Sequence, residues 1–209
     1  MIYKTFRKYL RLQHFWVNQR YFDNYSFIHI NKCGGTSVEN YLGILKVHDT
    51  AADRIQAIGK DKWDSRYTFA LVRNPYARVV SHFSYRTKTN QTNLQNKPIT
   101  LNNWIERAYG SKDRDLYDNP LMFAPCCNWL KFDNKIAVNH VIKLEEIDDE
   151  WKKVCKRLKR NYVPLQTKNA TSTNSALKAV ELLTKQSIDI INRHFEEDFE
   201  LFAYKQVSV

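Results

Sequence analysis

No stretch of the sequence approaches the roughly 20 consecutive apolar residues that a membrane-spanning helix needs, although 43% of the 209 residues are hydrophobic. The chain also has no internal repeat and no low-complexity linker, so it gives no sign of a repeat architecture or of tandem domains. Its length suffices to bury a hydrophobic core. We therefore predict a single domain over residues 1–209.

Cysteines are few and poorly placed for metals or disulfides. The four of them form no C-x-x-C pair, and no histidine stands at zinc-ligand spacing from them. Cys126 and Cys127 are adjacent, which makes a poor disulfide framework. We predict reduced thiols, no bound metal and a cytoplasmic location, since thiols stay reduced in cytosol-like compartments.

Acidic residues are outnumbered by basic ones, 22 to 33, which gives a formal net charge of +11 at pH 7. This excess favours an anionic partner: nucleic acid, anionic polysaccharide, a membrane surface or a polyphosphorylated cofactor. A solvated basic surface without such a partner explains the charge equally well. Aromatic residues make up 13% of the chain, which indicates a well-filled core or a surface that stacks on planar or sugar ligands.

The N-terminal segment, residues 1–22, alternates basic and aromatic side chains and has no small-residue cleavage site, so we do not predict a signal peptide. Its pattern predicts an amphipathic helix. We favour a helix packed on the domain, and peripheral contact of the basic N-terminus with a membrane surface stays open as the alternative.

A short apolar strand, a loop with one lysine and two adjacent glycines, and a helix start follow one another from Phe27 to Ser37. A glycine loop between a strand and a helix binds phosphate through backbone N–H groups and the helix dipole. Lys32 stands before Gly34 and Gly35, whereas the ATP and GTP motif places its lysine after the glycines and follows it with a magnesium-binding hydroxyl. The sequence therefore predicts an anion site of another type.

Three candidate strands, residues 25–30, 67–72 and 137–144, alternate with helical patterns. This order predicts an α/β fold, with three α/β/α layers and a mainly parallel central sheet. Ligands of such sheets bind at the carboxyl ends of the strands. The predicted helices span residues 36–45, 51–58 after a Thr50 cap, 75–85 after an Asn74 cap, 100–110 and 148–159, followed by a helical C-terminus with Ile188, Ile191, Phe195, Phe199 and Phe202 on its core face.

A second group of polar residues follows the second strand. Arg73 stands where that strand ends, and Ser81 lies about two helical turns further on. An arginine fork binds phosphate bidentately, and a serine hydroxyl adds a donor. Taken alone, an ion-paired arginine and a surface serine explain the two residues as well.

The two segments together resemble the PAPS-dependent sulfotransferases, in the branch typified by carbohydrate sulfotransferases; PAPS is 3′-phosphoadenosine 5′-phosphosulfate. Residues 30–37 (INKCGGTS) are similar to the family's I-P-K-[TS]-G-G-T-S loop, and residues 67–81 (YTFALVRNPYARVVS) to its F-x-F-V-R-[DN]-P-x-x-R-x-x-S motif. Residues 141–147 (VIKLEEI) and 195–204 (FEEDFELFAY) are similar to its late strand and its C-terminal segment. The resemblance implies a P-loop NTPase-like sulfotransferase fold.

The resemblance also implies roles for individual residues. Lys32 is expected to stabilise the leaving 5′-phosphate, and Arg73 and Ser81 to hold the 3′-phosphate. Lys168, in a basic loop before the C-terminal helices, is expected to contact the nucleotide. The 5′-phosphate cradle is expected to comprise Lys32, Cys33, Gly34, Gly35, Thr36 and Ser37.

Three positions depart from the family pattern. Asn31 replaces a proline, Cys33 replaces a hydroxyl residue that would donate to the 5′-phosphate, and Ala203 replaces a glycine. The resemblance implies PAPS as the donor and PAP as the product. Because a sulfuryl group carries less charge than a terminal phosphoryl group, no metal is expected to be required.

A general base is expected to activate the acceptor hydroxyl. His48 is the first choice, because residues 46–51 (KVHDTA) are similar to a K-H-x-T-A segment of carbohydrate sulfotransferases. His29 is the rival, but its place in a strand favours a packed core residue. His82 and His140 are expected to be structural.

The resemblance implies a small-molecule or glycan acceptor with a free hydroxyl, most simply a carbohydrate, and no nucleic-acid partner. A P-loop kinase of small molecules and a non-catalytic binder of anionic polymers are the alternatives. The kinase would need magnesium ligands and a Walker lysine, and the sequence shows no convincing set of these. The sequence does not predict the oligomeric state.

Overall fold

Five β-strands occur in the residues that the computed structural model describes, 2–165 and 175–208. In chain order they are β1 (Tyr25–Ile28), β2 (Tyr67–Val72), β3 (Lys131–Phe132), β4 (Lys135–Ile136) and β5 (His140–Lys143). Strands β1, β2 and β5 form a parallel sheet with β2 in the middle, and β3 and β4 form an antiparallel hairpin. The predicted α/β class with a parallel sheet is confirmed.

Helices connect the strands and make up most of the second half of the chain. The described α-helices are α1 (Ile2–Val17), α2 (Gly35–Leu42), α3 (Ala51–Ile58), α4 (Lys60–Asp64), α5 (Pro75–Lys88), α6 (Leu101–Ile105), α7 (Pro120–Phe123), α8 (Cys126–Leu130), α9 (Ile147–Arg157), α10 (Ser175–Val180), α11 (Lys185–His194) and α12 (Glu196–Leu201). π-Helical turns extend α1 over Asn18–Phe22 and α6 over Glu106–Gly110, and 3₁₀ turns span Gln91–Asn93 and Leu144–Glu146.

The chain folds into two units. Unit 1 comprises Met1–Val72 and Trp129–Asn169 and contains the sheet and the hairpin. Unit 2 comprises Arg73–Asn128 and Ala170–Val209 and is helical. The single domain predicted over residues 1–209 stays a prediction.

Both outer strands of the sheet are shorter than predicted. β1 ends at Ile28 instead of residue 30, because its pairing with β2 stops at Ala70 and the chain then turns into the glycine loop. β5 begins at His140 instead of residue 137, because the N–H of Ala137 donates to the carbonyl of Leu130, next to the hairpin, at 2.8 Å.

The buried guanidinium of Arg54, on α3, joins this helix to the N-terminal helix in unit 1. The guanidinium of Arg54 donates two hydrogen bonds of 2.7 Å to the carboxylate of Asp49 and one of 2.6 Å to Gln19. The same guanidinium lies 4.9 Å from the ring centroid of Phe15 and 5.3 Å from that of Trp16. The bidentate pair fixes the guanidinium, and its cation–π contacts and the hydrogen bond to Gln19 hold the end of the N-terminal helix against α3.

The core of unit 2 includes the C-terminal face that helical spacing predicted. Asp198, which is 1% exposed, accepts the N–H groups of Cys126 and Cys127 at 2.7 and 2.8 Å, so α12 caps the start of α8. The predicted core residues are confirmed as buried: Ile188, Ile191, Phe195, Phe199 and Phe202.

All four cysteines are buried, and none of them forms a disulfide. Burial and then the nearby Asp198 carboxylate raise the pKa of the Cys127 thiol, which keeps it protonated. Among residues 2–165 and 175–208, no helix has both the length and the apolar character that crossing a bilayer requires.

Candidate active site

The loop between β1 and α2 is built by left-handed backbone. Lys32 has φ +64° and Gly34, the N-cap of α2, has φ +84°. Such residues turn backbone N–H groups into anion-binding concavities. A left-handed conformation costs about 1–2 kcal/mol for a residue with a Cβ, so the loop holds Lys32 against its own preference. The Lys32 side chain is half-buried.

Both glycines of the loop are needed at close approaches in unit 1. A Cβ added to Gly34 would lie 2.7 Å from the Leu144 side chain, and one added to Gly35 would lie 2.3 Å from Cδ2 of the His29 ring. The first turn of α2 therefore packs directly against the imidazole of His29. Cys33, between Lys32 and the glycines, is 0% exposed, so its thiol belongs to the core of the loop.

His29 and Glu39 form a buried pair beneath this loop. Both residues are 4% exposed, and Nδ1 of His29 lies 2.7 Å from Oε1 of Glu39. The two atoms lie close together without the geometry of a directed hydrogen bond, and the other carboxylate oxygen, Oε2, has no hydrogen-bond partner among the described residues. His29 is thus the packed core residue that the sequence favoured, although it follows β1 instead of lying within it.

His48 is oriented by the backbone of His29. Its Nδ1 lies 3.0 Å from the carbonyl oxygen of His29, and the two ring centroids are 4.4 Å apart. Because a carbonyl oxygen can only accept, Nδ1 carries the proton and Nε2 keeps its lone pair. Burial first, and then the charge of His29, lower the pKa of His48 from its usual 6.5. His48 is therefore a neutral imidazole at pH 7, as a general base must be.

The segment after His48 is held by helix-capping contacts. Thr50 accepts a hydrogen bond from the N–H of Asp53 at 3.0 Å, and the Asp53 carboxylate accepts the N–H of Thr50 at 2.9 Å. This capping box fixes the N-cap of α3 two residues after His48. The predicted Thr50 cap and the helix end at Ile58 are confirmed.

The second predicted phosphate motif lies at the start of unit 2. Asn74 caps α5 by accepting the N–H groups of Tyr76 and Ala77 at 3.1 and 3.4 Å, as predicted, and Pro75 is the first residue of the helix. Arg73 directly follows β2 and is 7% exposed, and Ser81 is half-buried on α5.

The predicted site residues are thus placed as follows. Unit 1 contains the cradle of residues 32–37 and His48, and His29 contacts both Gly35 and His48. Unit 2 contains Arg73 and Ser81. Lys168 lies outside the described residues.

The other histidines expected to be structural have structural contacts. His82 is 3% exposed, with Nδ1 3.0 Å from the hydroxyl of Tyr109. His140 has Nδ1 at 2.7 Å from the hydroxyl of Tyr67 and Nε2 at 2.9 Å from Glu150. None of these hydrogen bonds involves the loop of residues 32–37.

Sequence reasoning missed Glu39 and Trp129 as neighbours of His48. The ring of Trp129 meets that of His48 edge-on at 6.1 Å, and nothing in the local sequence indicates this contact. Glu39 did leave a signal, because it occupies a core position of α2 together with Gly35, Val38 and Leu42.

The sheet, the glycine loop and its lysine define the class of the protein: an α/β protein whose first strand is followed by a glycine loop and a helix N-terminus, an arrangement that suits anions. The profile of the sulfotransferase family matches residues 13–205. The chain belongs to the sulfotransferase family, as its motifs predicted. Comparison with curated proteins and with solved structures gave no match in either set. In the described part of the chain, no three His, Cys, Asp or Glu side chains cluster so as to hold a metal ion.

The packing of Gly35 makes a testable prediction. Gly35→Ala is expected to destabilise the protein by about 2–3 kcal/mol, because the new methyl overlaps a ring that Glu39 holds in place, and overpacking a core costs about this much. Urea unfolding monitored by tryptophan fluorescence measures the change.

A double mutant isolates the contact with His29, because Gly35 has no left-handed backbone penalty of its own. In a His29→Ala background, Gly35→Ala should cost less than about 1 kcal/mol, since coupled neighbours are not additive. A full penalty in both backgrounds would contradict the contact with His29.

Proposed function

We propose that the protein transfers a sulfuryl group from PAPS to a hydroxyl of a carbohydrate and releases PAP. The observation that carries this proposal is the arrangement around His29, which contacts the glycine loop on one side and His48 on the other. An anion cradle with a lysine, joined to a neutral imidazole with an unprotonated Nε2, supplies the two groups that transfer to a hydroxyl needs.

The cradle residues fit the 5′-phosphosulfate end of the donor. PAPS supplies the sulfuryl group and a phosphate oxygen on which negative charge develops as the group departs. Lys32 stabilises that charge electrostatically. The backbone N–H groups of residues 33–35 and the hydroxyls of Thr36 and Ser37, in the first turn of α2, bind the phosphate oxygens.

Arg73 and Ser81 would hold the 3′-phosphate, which adenosine monophosphate lacks. An arginine that is 7% exposed has lost most of its hydration, so a bidentate phosphate contact there contributes more than at a surface. Lys168 would contact the nucleotide as well. His48 would accept the proton of the acceptor hydroxyl at Nε2.

The acceptor class and the location are further parts of the proposal. A net charge of +11 exceeds what one donor molecule needs and suits an acidic glycan. We propose a cytoplasmic enzyme that needs no metal, with peripheral contact between its basic N-terminus and a membrane surface as the open alternative.

Ligand-induced stabilisation tests the donor assignment. At 100 times its Kd, PAP is expected to raise the melting temperature by roughly 5–10 °C, from about 2.7 kcal/mol of linkage and about 2–4 °C per kcal/mol for a chain of this size. Adenosine monophosphate at the same concentration is expected to give a much smaller rise, because it has no 3′-phosphate. Differential scanning fluorimetry measures both.

The matched variant is Arg73→Gln, which removes the charge. It should lower the affinity for PAP but not that for adenosine monophosphate, measured by calorimetry. Stabilisation by ATP and not by PAP would contradict the proposal and favour a small-molecule kinase. If PAP stabilises the protein as expected, a screen of hydroxyl acceptors with ³⁵S-labelled PAPS identifies the acceptor.

A further inference from the structure

The carboxylate of Glu39 is buried, and the proposed reaction assigns it no role. It is 4% exposed, and one oxygen lies 2.7 Å from His29 Nδ1. The other oxygen is buried without a hydrogen-bond partner in residues 2–165 and 175–208. A half-satisfied buried carboxylate is unfavourable, and such a group in a native protein needs an explanation.

Packing alone does not explain it. Replacing a buried ion pair by apolar side chains of similar volume is often neutral or stabilising. Glu39 stands between Val38 and Leu42 on the buried face of α2, where a leucine would join the core directly. The negative charge itself therefore needs a role.

A single residue, His29, connects the charge of the Glu39 carboxylate to His48. The Glu39 carboxylate contacts the His29 ring, and the carbonyl of His29 accepts the N–H of His48 at 3.0 Å. The charged or titratable side chains that act on His48 are His29, Lys46 and Glu39, and of these Glu39 is the one whose charge raises the pKa of His48. The buried pair also supports the cradle, since Gly35 rests on the same imidazole.

We propose that Glu39 is a positioning residue of the transfer reaction, which acts on His48 through His29. Its carboxylate fixes the ring of His29, against which the ring of His48 and the first turn of α2 both pack. Its negative charge stabilises the imidazolium that His48 becomes. In a Ser-His-Asp triad the aspartate both accepts the histidine N–H and supplies the charge; here the carbonyl of His29 accepts the N–H of His48 and Glu39 supplies the charge.

This role rests on the proposed function, and the step it serves is balanced. The acceptor hydroxyl gives its proton to Nε2 of His48 while its oxygen forms a bond to sulfur. The bond between sulfur and the 5′-phosphate oxygen breaks, and PAP leaves with that electron pair. His48 gains one positive charge, and the negative charge of the Glu39 carboxylate compensates it.

Glu39→Gln tests the proposal, because it keeps the size of the side chain and removes its charge. We expect turnover to fall about 10- to 100-fold, by analogy with the loss of outer-shell carboxylates that support metal-bound histidines. The affinity for PAP should stay within about threefold, since the packing of the cradle is kept. The acidic limb of the pH–rate profile should move to lower pH, because the charge that raises the pKa of His48 is gone.

The pKa of His48 can be read without any substrate. Titration of its Cε1–H resonance by NMR in the full-length protein should show a lower pKa in Glu39→Gln than in the wild type. Glu39→Asp keeps the charge at a longer distance from His29 and should give a smaller shift in the same direction. This second variant keeps the proposal testable if Glu39→Gln fails to fold.

Glu150→Gln is the matched control. It makes the same chemical change in a second histidine–carboxylate pair of unit 1, in which Glu150 lies 2.9 Å from Nε2 of His140. His140 stands at the start of β5, whereas His29 follows the carboxyl end of β1. We expect no change in turnover and none in the titration of His48.

The role of Glu39 would be overturned if the wild type is active, His48 has the same pKa in Glu39→Gln as in the wild type, and Glu39→Gln turns over as fast as Glu150→Gln. That result would leave the proposed function standing. A wild type that neither binds PAP nor transfers sulfate would overturn the proposed function, and the role in transfer with it.

Discussion

His48→Asn is expected to lower sulfuryl transfer about 100- to 10,000-fold, the usual contribution of a general base. Asparagine can place its amide N–H near the position of Nδ1 and so keep the bond to the carbonyl of His29. It has no basic nitrogen at the position of Nε2. The loss should therefore appear in turnover, with little change in the affinity for PAP.

The pH dependence identifies the group that is lost. Wild-type activity should fall as pH drops through the pKa of His48, because the protonated imidazole cannot accept a second proton. Burial and the charge of His29 place that pKa below 6.5, so the acidic limb should lie below pH 6.5. His48→Asn should lack this limb.

The control for His48 is His14→Asn, which removes an exposed histidine of α1. It should leave both the rate and the limb unchanged. A His48→Asn variant that retains the limb, or that transfers sulfate within about threefold of the wild-type rate, would remove His48 from the chemistry and return His29 to consideration as the base.

Elements that local chemistry defines could be predicted from the sequence. β2 begins at Tyr67 and ends at Val72 as predicted, because an apolar run there is followed at once by Arg73-Asn74-Pro75, a cap and a first helical residue. The helix after Thr50 was predicted for the same reason, since its capping box and Gly59 are contiguous in the chain. Such signals need no tertiary partner.

Elements that depend on distant residues could not be predicted. The sequence suggested no structure for α7, α8 or the β3–β4 hairpin. The start of α8 is held by Asp198, some 70 residues away in the chain. The predicted end of β1 and the predicted start of β5 were wrong for a related reason. Both limits depend on pairing with β2 and on hydrogen bonds of neighbouring residues.

The candidate site divides in the same way. Its loop, with Lys32 and two glycines, is contiguous and was found from residue order alone. The contact between His29 and Glu39 joins the end of a strand to a helix face, and no local sequence pattern predicts such a pairing. Periodicity places Glu39 on the core side of α2, but only the structure gives it a partner.

Lys32→Ala is expected to lower sulfuryl transfer about 100- to 1,000-fold, because it removes the charge that stabilises the departing phosphate oxygen. Affinity for PAP should fall by about tenfold or less, since a hydrogen bond to a charged group contributes roughly 1.5 kcal/mol to binding. The difference between these two losses distinguishes transition-state stabilisation from ground-state binding. Steady-state kinetics and calorimetry on the same protein measure both.

Lys32→Gly separates the ammonium from the backbone. Residue 32 has φ +64°, which glycine adopts without strain, so this variant should be as stable as the wild type or up to about 1 kcal/mol more stable. It should nevertheless lose as much transfer as Lys32→Ala. Lys62→Ala, which removes an exposed lysine of α4, changes the net charge equally and should transfer at the wild-type rate. A polymer binder that needs only overall charge would lose affinity equally in all three variants, so equal small losses would contradict a catalytic role for Lys32.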